Sequence, residues 1–162
     1  MGTRRADDPA AGELEAVTDA VLTSSRALVA LASRSIAAFD ETVTLPQFRA
    51  LVVLDASPDG RTVGDLAREL QVQPSTVTRL CDRLVHKQLV HREVDAANRR
   101  EVRISLSGAG RTLVRDVTRR RRREIAAIMA KVPPRQRRAI VEALTAFTEA
   151  AGEPPVAHPV PW

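Results

Sequence analysis

The chain has 162 residues, with 25 Lys+Arg against 20 Asp+Glu and a formal net charge of +5, a length that suits one domain with a short extension and excludes two large ones. At 44% hydrophobic and 28% charged residues it can bury a core, so disorder of the whole chain is excluded. Three Phe, one Trp and no Tyr leave that core to Leu, Val, Ile and Ala, which favours helix packing over an aromatic-rich β-sandwich and gives little support to base-stacking platforms for single-stranded nucleic acid.

Residues 1–12 are polar, with Gly2, Pro9 and Gly12, and are expected to form a flexible N-terminus. From Glu13 to about Asp40 the pattern is helical: Leu14, Val17, Val21, Ser24, Leu28 and Leu31 form one stripe at spacings of three and four, and Leu22, Val29 and Ile36 mark a second line beside it. A face that wide serves two neighbours, its own body and a partner chain; an ordinary buried helix is the plainer alternative. Pro46, just ahead of Phe48, Leu51, Val52 and Leu54, marks a second helix, which Ser57-Pro58-Asp59-Gly60 ends as a turn. Thr62-Val63-Gly64-Asp65 is a capping box for a third helix carrying Leu66, Ala67 and Leu70. After Gln71-Val72-Gln73, Pro74 starts a fourth helix with Val77, Leu80, Cys81, Leu84 and Val85 inward.

After Leu89 the period changes to two. Val90, Arg92 and Val94 alternate with His91 and Glu93, and Val102, Ile104 and Leu106 with Arg103 and Ser105, so two short strands flank the polar Asp95–Arg100 stretch as a β-hairpin with a basic tip. Ser107 caps a long helix holding Leu113, Val114, Val117, Ile125, Ile128 and Met129, ended by Pro133-Pro134. A last helix carries Ile140, Leu144 and Phe147, and Gly152 closes it ahead of a Pro-rich tail over 153–162. The fold class expected is mainly α with a small β-hairpin wing.

The net charge hides an asymmetry. Residues 60–123 hold 16 Lys+Arg and 7 Asp+Glu, net +9, which leaves net −4 for the rest; a basic middle flanked by acidic or neutral ends reads as an anion-facing module, and nucleic acid is the usual anion. Solvated basic helix faces are the plainer alternative. On the fourth helix Ser75, Thr76, Arg79, Asp82, Arg83 and His86 fall outward. Hydroxyls and amides at the helix start suit phosphate, and an Arg fork one turn later suits guanine O6 and N7 in the major groove. An arginine-bearing hairpin beside it suits the minor groove. Together they form a winged helix–turn–helix.

In three segments, TLPQFRALVVL, TVGDLARELQVQPSTVTRLCDRLVHKQLVHRE and DAANRREVRISLSGAGRTLV, the chain resembles the MarR family of bacterial transcription regulators, over roughly residues 13–150. The resemblance implies a single domain over 13–152, with dimerisation helices in 13–42 and 107–152 and a winged helix–turn–helix over 44–106, acting as a homodimer on a palindromic operator in double-stranded DNA. Carried over position by position, it places Ser75 and Thr76 at the start of the recognition helix on phosphate or base edges, Thr78 on the DNA backbone and Arg79 on bases. Arg100 becomes the wing arginine of the minor groove, with Arg99 beside it on the backbone or bracing the wing. Arg83 and His86 complete the expected set, His86 on a phosphate. Asn98 stands where the family often has an Asp that pairs with an Arg, and Gln73 replaces the better-capping Ser before Pro74.

Other features point elsewhere only weakly. Cys81 is the single cysteine, so an intramolecular disulfide or thiol-rich zinc site is excluded; its inward position makes it an inert small hydrophobe rather than a redox sensor. His86, His91 and His158 lie apart, so no metal is expected. Five successive arginines, Arg119–Arg123, spread over all sides of a helix; they are a solvated face or, in part, a holder for an anionic effector. No cofactor is expected, and no nucleophile elbow, phosphate-binding glycine loop or His-Glu-x-x-His motif supports an enzyme. There is no run of 18 apolar residues and no apolar h-region at the N-terminus, so the expectation is no membrane partner and a cytoplasmic location. The function expected is a repressor modulated by a small anionic or aromatic effector; an architectural dimer of low sequence specificity is the alternative.

Overall fold

The computed structural model describes residues 9–94 and 102–153. The elements run α1 (Pro9–Ala37), α2 (Leu45–Asp55), β1 (Arg61–Thr62), α3 (Val63–Leu70), α4 (Pro74–His86), β2 (Val90–Val94), β3 (Val102–Leu106), α5 (Gly108–Ala130) and α6 (Pro134–Ala150). The chain divides into two units, Met1–Arg121 and Arg122–Trp162.

In the first unit, α1 starts at Pro9, one turn ahead of the Glu13 expected from periodicity; proline suits a first helical turn because its missing N–H has no partner there anyway. Only the C-terminal part of this helix reaches the core, through Leu31, Ala32, Ser35 and Ile36, whereas Leu14, Val17, Leu22, Leu28 and Val29 are exposed. Helix α2 opens with a reciprocal capping box. The Gln47 amide donates to Thr44 Oγ1 at 3.4 Å and the Thr44 amide to Gln47 Oε1 at 2.9 Å, so two otherwise orphaned N–H groups are satisfied. Phe48, Leu51 and Leu54 then face the core.

The expected box at α3 forms in half. Asp65 donates its amide to Thr62 Oγ1 at 3.1 Å, but its carboxylate accepts chiefly from the Thr62 hydroxyl, at 2.8 Å, and only weakly from the Thr62 backbone. Helices α3 and α4 end alike. Gln71 and Gln88 adopt φ of 56° and 57°, and the following Val72 and Leu89 donate their amides to Ala67 and Leu84 carbonyls, each at 3.0 Å, which closes two loose carbonyl ends.

The sheet has three antiparallel strands in the order β1-β3-β2, one more than the expected hairpin. The extra strand is two residues long, pairing Arg61 with Ile104 and Thr62 with Arg103, too short to show an alternation in sequence. β3 is central and buries Ile104 and Leu106; β2 is an edge strand that buries Val90 alone. Those side chains join Ile36, Leu51, Leu54, Leu66, Val77, Cys81, Leu84, Val114 and Val117 in one core. Each fully buried aliphatic side chain there contributes about 1.5–3 kcal/mol, so the core fixes α4 and the sheet to a common body.

A tight joint connects β3 to α5. The Ser107 hydroxyl donates to the Gln88 carbonyl at 2.7 Å and accepts the Gly110 amide at 2.9 Å, while the Ser107 amide donates to the Leu89 carbonyl at 3.1 Å. Gly110 lies so close that a Cβ there would stand 2.1 Å from the Leu89 oxygen.

The second unit contains the end of α5 and α6. Arg137 donates to the carbonyls of Val132 at 3.0 Å and Ala130 at 3.2 Å, tying the start of α6 to the turn before it. No residue of α6 is buried, and Val141, Leu144 and Phe147 are exposed. No helix among the described residues is long and apolar enough to cross a membrane.

Candidate nucleic-acid interface

Helix α4 supplies the surface. Its inward residues Val77, Cys81 and Leu84 are buried, and this registers the opposite face outward. Ser75, Thr76, Arg79, Asp82, Arg83 and His86 are all exposed on it. Gln73 caps the helix by its backbone conformation alone, with no side-chain hydrogen bond. Pro74 has no N–H and the Thr76 and Val77 amides donate to the Gln73 carbonyl at 2.9 and 3.2 Å, so the first turn of α4 presents the Ser75 amide beside two hydroxyls, an arrangement suited to a phosphate.

The other expected residues divide. Thr78 is half-buried and its hydroxyl donates to the Pro74 carbonyl at 3.0 Å, so that proton is committed within the helix and does not point at a ligand. Arg99, Arg100 and Asn98, expected at the wing tip, lie outside the described residues. The strand leading to that tip is in place, with Val90 paired to Leu106 and Val94 to Val102.

Two features were missed in sequence. Asp82 takes an ion pair from Arg92 on β2 at 2.7 Å; the two are ten positions apart on different elements, which no periodicity relates. Lys87, at the end of α4, donates to the Thr42 hydroxyl in the loop after α1. That hydroxyl in turn donates to Asp40 at 2.6 Å, with the Thr42 amide at 2.8 Å; these hydrogen bonds, with Lys87 nearby, hold the Asp40 carboxyl below the usual range.

Cys81 is buried on the inward face, as its spacing predicted. Burial pushes its thiol up to about 11, with Arg92 opposing and Asp82 adding to the shift. The cation near it was not foreseen, yet desolvation dominates, and a thiol in that state is a poor nucleophile. Among the described residues no group of three or more His, Cys, Asp or Glu could hold a metal.

A groove of about 410 Å³ lies on the first unit, lined by Phe39, Asp40, Leu89, Gly108, Ala109, Thr112, Leu113 and Asp116. Its charged side chains are carboxylates. None of Arg119–Arg123 lines it; Arg119 instead donates to Asp116 at 2.8 Å. A second groove, of about 660 Å³, runs along the turn between α3 and α4, past Arg68, Gln73 and Thr76.

Comparison with known proteins agrees with this geometry. Residues 42–101 match the model of the MarR family. Over 79 residues the chain is 38% identical to an uncharacterised HTH-type transcriptional regulator, YsmB of Bacillus subtilis; the match takes in 49% of this chain and 53% of that protein, about half its length. The crystal structure of RV1404 from Mycobacterium tuberculosis is 46% identical, with 89% of this chain and 97% of that one covered and a TM-score of 0.81. MepR, a transcription regulator of the Staphylococcus aureus multidrug efflux pump MepA, is 26% identical, covers 83% and 97%, and gives a TM-score of 0.71. An exposed α4 set beside a three-stranded sheet, matched across the helix–turn–helix and over most of the chain, identifies the protein: it belongs to the MarR family of DNA-binding transcription regulators.

Proposed function

We propose that the chain acts in the cytoplasm as a homodimeric repressor, reading a palindromic operator with α4 in successive major grooves and the β2–β3 wing in the flanking minor grooves. The observation that carries this reading is the outward row of α4, where Ser75 and Thr76 stand at an uncapped helix start with Arg79, Arg83 and His86 exposed behind them. Within it, Arg79 is the base reader, Ser75 and Thr76 hold phosphate or base edges, and Arg83 and His86 hold the backbone. Arg100 enters the minor groove, with Arg99 on the backbone beside it. The exposed apolar residues of α1 and, separately, of α6 support a partner chain of the same sequence.

An effector would act through geometry. Two reading helices engage only when they lie about 34 Å apart, one turn of DNA. A ligand that binds better to another spacing lowers DNA affinity by its difference in affinity between the two states. The groove at Phe39, Leu89 and Leu113 is apolar, and its carboxylates, Asp40 and Asp116, are already taken by Thr42 and by Arg115 and Arg119; among the described residues no free cation lines it, which favours an aromatic effector over an anionic one.

Selection from random duplex DNA tests the reading. The expected product is a palindrome with half-site centres 10–10.5 base pairs apart, or a multiple of that. A specific-to-random affinity ratio near one at physiological salt, with a steep salt dependence, refutes it in favour of an architectural dimer.

A further inference from the structure

We infer that the Asp82–Arg92 ion pair is a strut that fixes the wing to the reading helix, and that both residues position the DNA-binding surface without themselves contacting DNA. This rests on the proposed operator-reading role. β2 is the edge strand of the sheet, and past Val90 all its side chains are exposed. Core packing therefore holds its first residue only, and the ladder to β3 holds the rest. Arg92 adds a different constraint: its guanidinium reaches across to Asp82 of α4 at 2.7 Å. The direction of β2 is thereby referred to α4 rather than to the sheet alone.

The same contact answers an electrostatic problem. Asp82 lies one turn from both Arg79 and His86 on the outward face of α4, where an unpaired carboxylate would repel the phosphate backbone. Arg92 neutralises it. A positively charged residue on the wing would ordinarily be assigned to a phosphate; here its partner is a carboxylate of its own chain.

The experiment uses the full-length chain and three variants, Asp82→Asn, Arg92→Gln and the exchanged pair D82R/R92D, each on the duplex selected by the wild type. Guanine N7 methylation protection reports α4 in the major groove, and hydroxyl-radical protection reports the wing in the flanking minor groove. Amide exchange of His91–Val94 is followed in the free proteins. Each single variant is expected to lose flank protection and keep N7 protection, with an affinity loss of about two- to fivefold, the scale of an exposed ion pair. Exchange over β2 quickens, and the exchanged pair restores all three readouts. Unchanged flank protection in the single variants, or an exchanged pair no better than either, overturns the strut. If the wild type selects no sequence, the operator-reading proposal fails instead, and exchange over β2 alone decides whether the pair ties wing to helix.

Discussion

Gly110→Ala is the sharpest test of how the sheet is joined to α5. The new Cβ would lie 2.1 Å from the Leu89 carbonyl oxygen and 2.9 Å from Leu106 Cδ2. An ordinary carbon–oxygen contact begins near 3.3 Å, so the start of α5 must retreat by roughly 1 Å from the chain between α4 and β2. That retreat pulls on three hydrogen bonds, from Ser107 to Gln88 and Leu89 and from Gly110 to Ser107, each contributing about 1 kcal/mol. Overpacking adds about 1–3 kcal/mol, and the better helix propensity of alanine returns about 1 kcal/mol. With all three bonds lost the net is about 3–5 kcal/mol, a fall in Tm of roughly 6–20 °C for a chain of this size. Gly108→Ala is the control: the same helix, the same chemical change, and nothing within 4 Å of the added atom. Both are measured by urea and thermal unfolding at one fixed protomer concentration. If Gly110→Ala unfolds within 0.5 kcal/mol of Gly108→Ala, on the order of the error of such measurements, the joint is not as tight as the geometry states.

Arg79→Ala should cost about 1–3 kcal/mol on the selected operator and relax the preference at one base pair per half-site; an unchanged binding profile removes Arg79 as a base reader. Cys81, with its thiol at about 11, should not react with a disulfide reagent at pH 8 while the protein is folded, because about one thiol in a thousand is ionised. Since the unfolded thiol ionises from its ordinary 9.0, the raised folded value gives stability that is intact below pH 9 and declines as pH rises toward 11; Cys81→Ala should flatten that decline, and rapid stoichiometric labelling of native protein contradicts the burial argument. Thr44→Ala, which removes half of a reciprocal cap, should lower stability by about 1 kcal/mol, read from the urea midpoint.

The sequence carried the helices well because their boundaries are local chemistry: Pro74 and Thr62 set starts that depend on a few neighbouring residues, and the inward spacing of Val77, Cys81 and Leu84 alone placed Arg79 outside. Thr44 with Gln47 is an equally legible capping signal beside Pro46. What escaped was pairing across distance. A two-residue β1 has no period, and its strand character comes from Ile104 and Arg103 on the other side of α4. Asp82 looked like one more solvent-facing residue because its partner belongs to another element. Thr78 shows the converse, a hydroxyl expected on the DNA backbone whose proton its own helix takes up.

The two left-handed glutamines have a mechanical meaning. Gln71 and Gln88 stand at either end of α4, and each holds a conformation that costs a side-chain-bearing residue about 1–2 kcal/mol and glycine almost nothing. A glycine at either place would relax that cost but would also admit many other backbone angles. With glutamine, few rotations of the chain besides the observed one are open, so the pitch of α4 against its supports is set by two stiff pivots. The molecule gives up stability at both and gains a single fixed angle for α4 against the body that carries it.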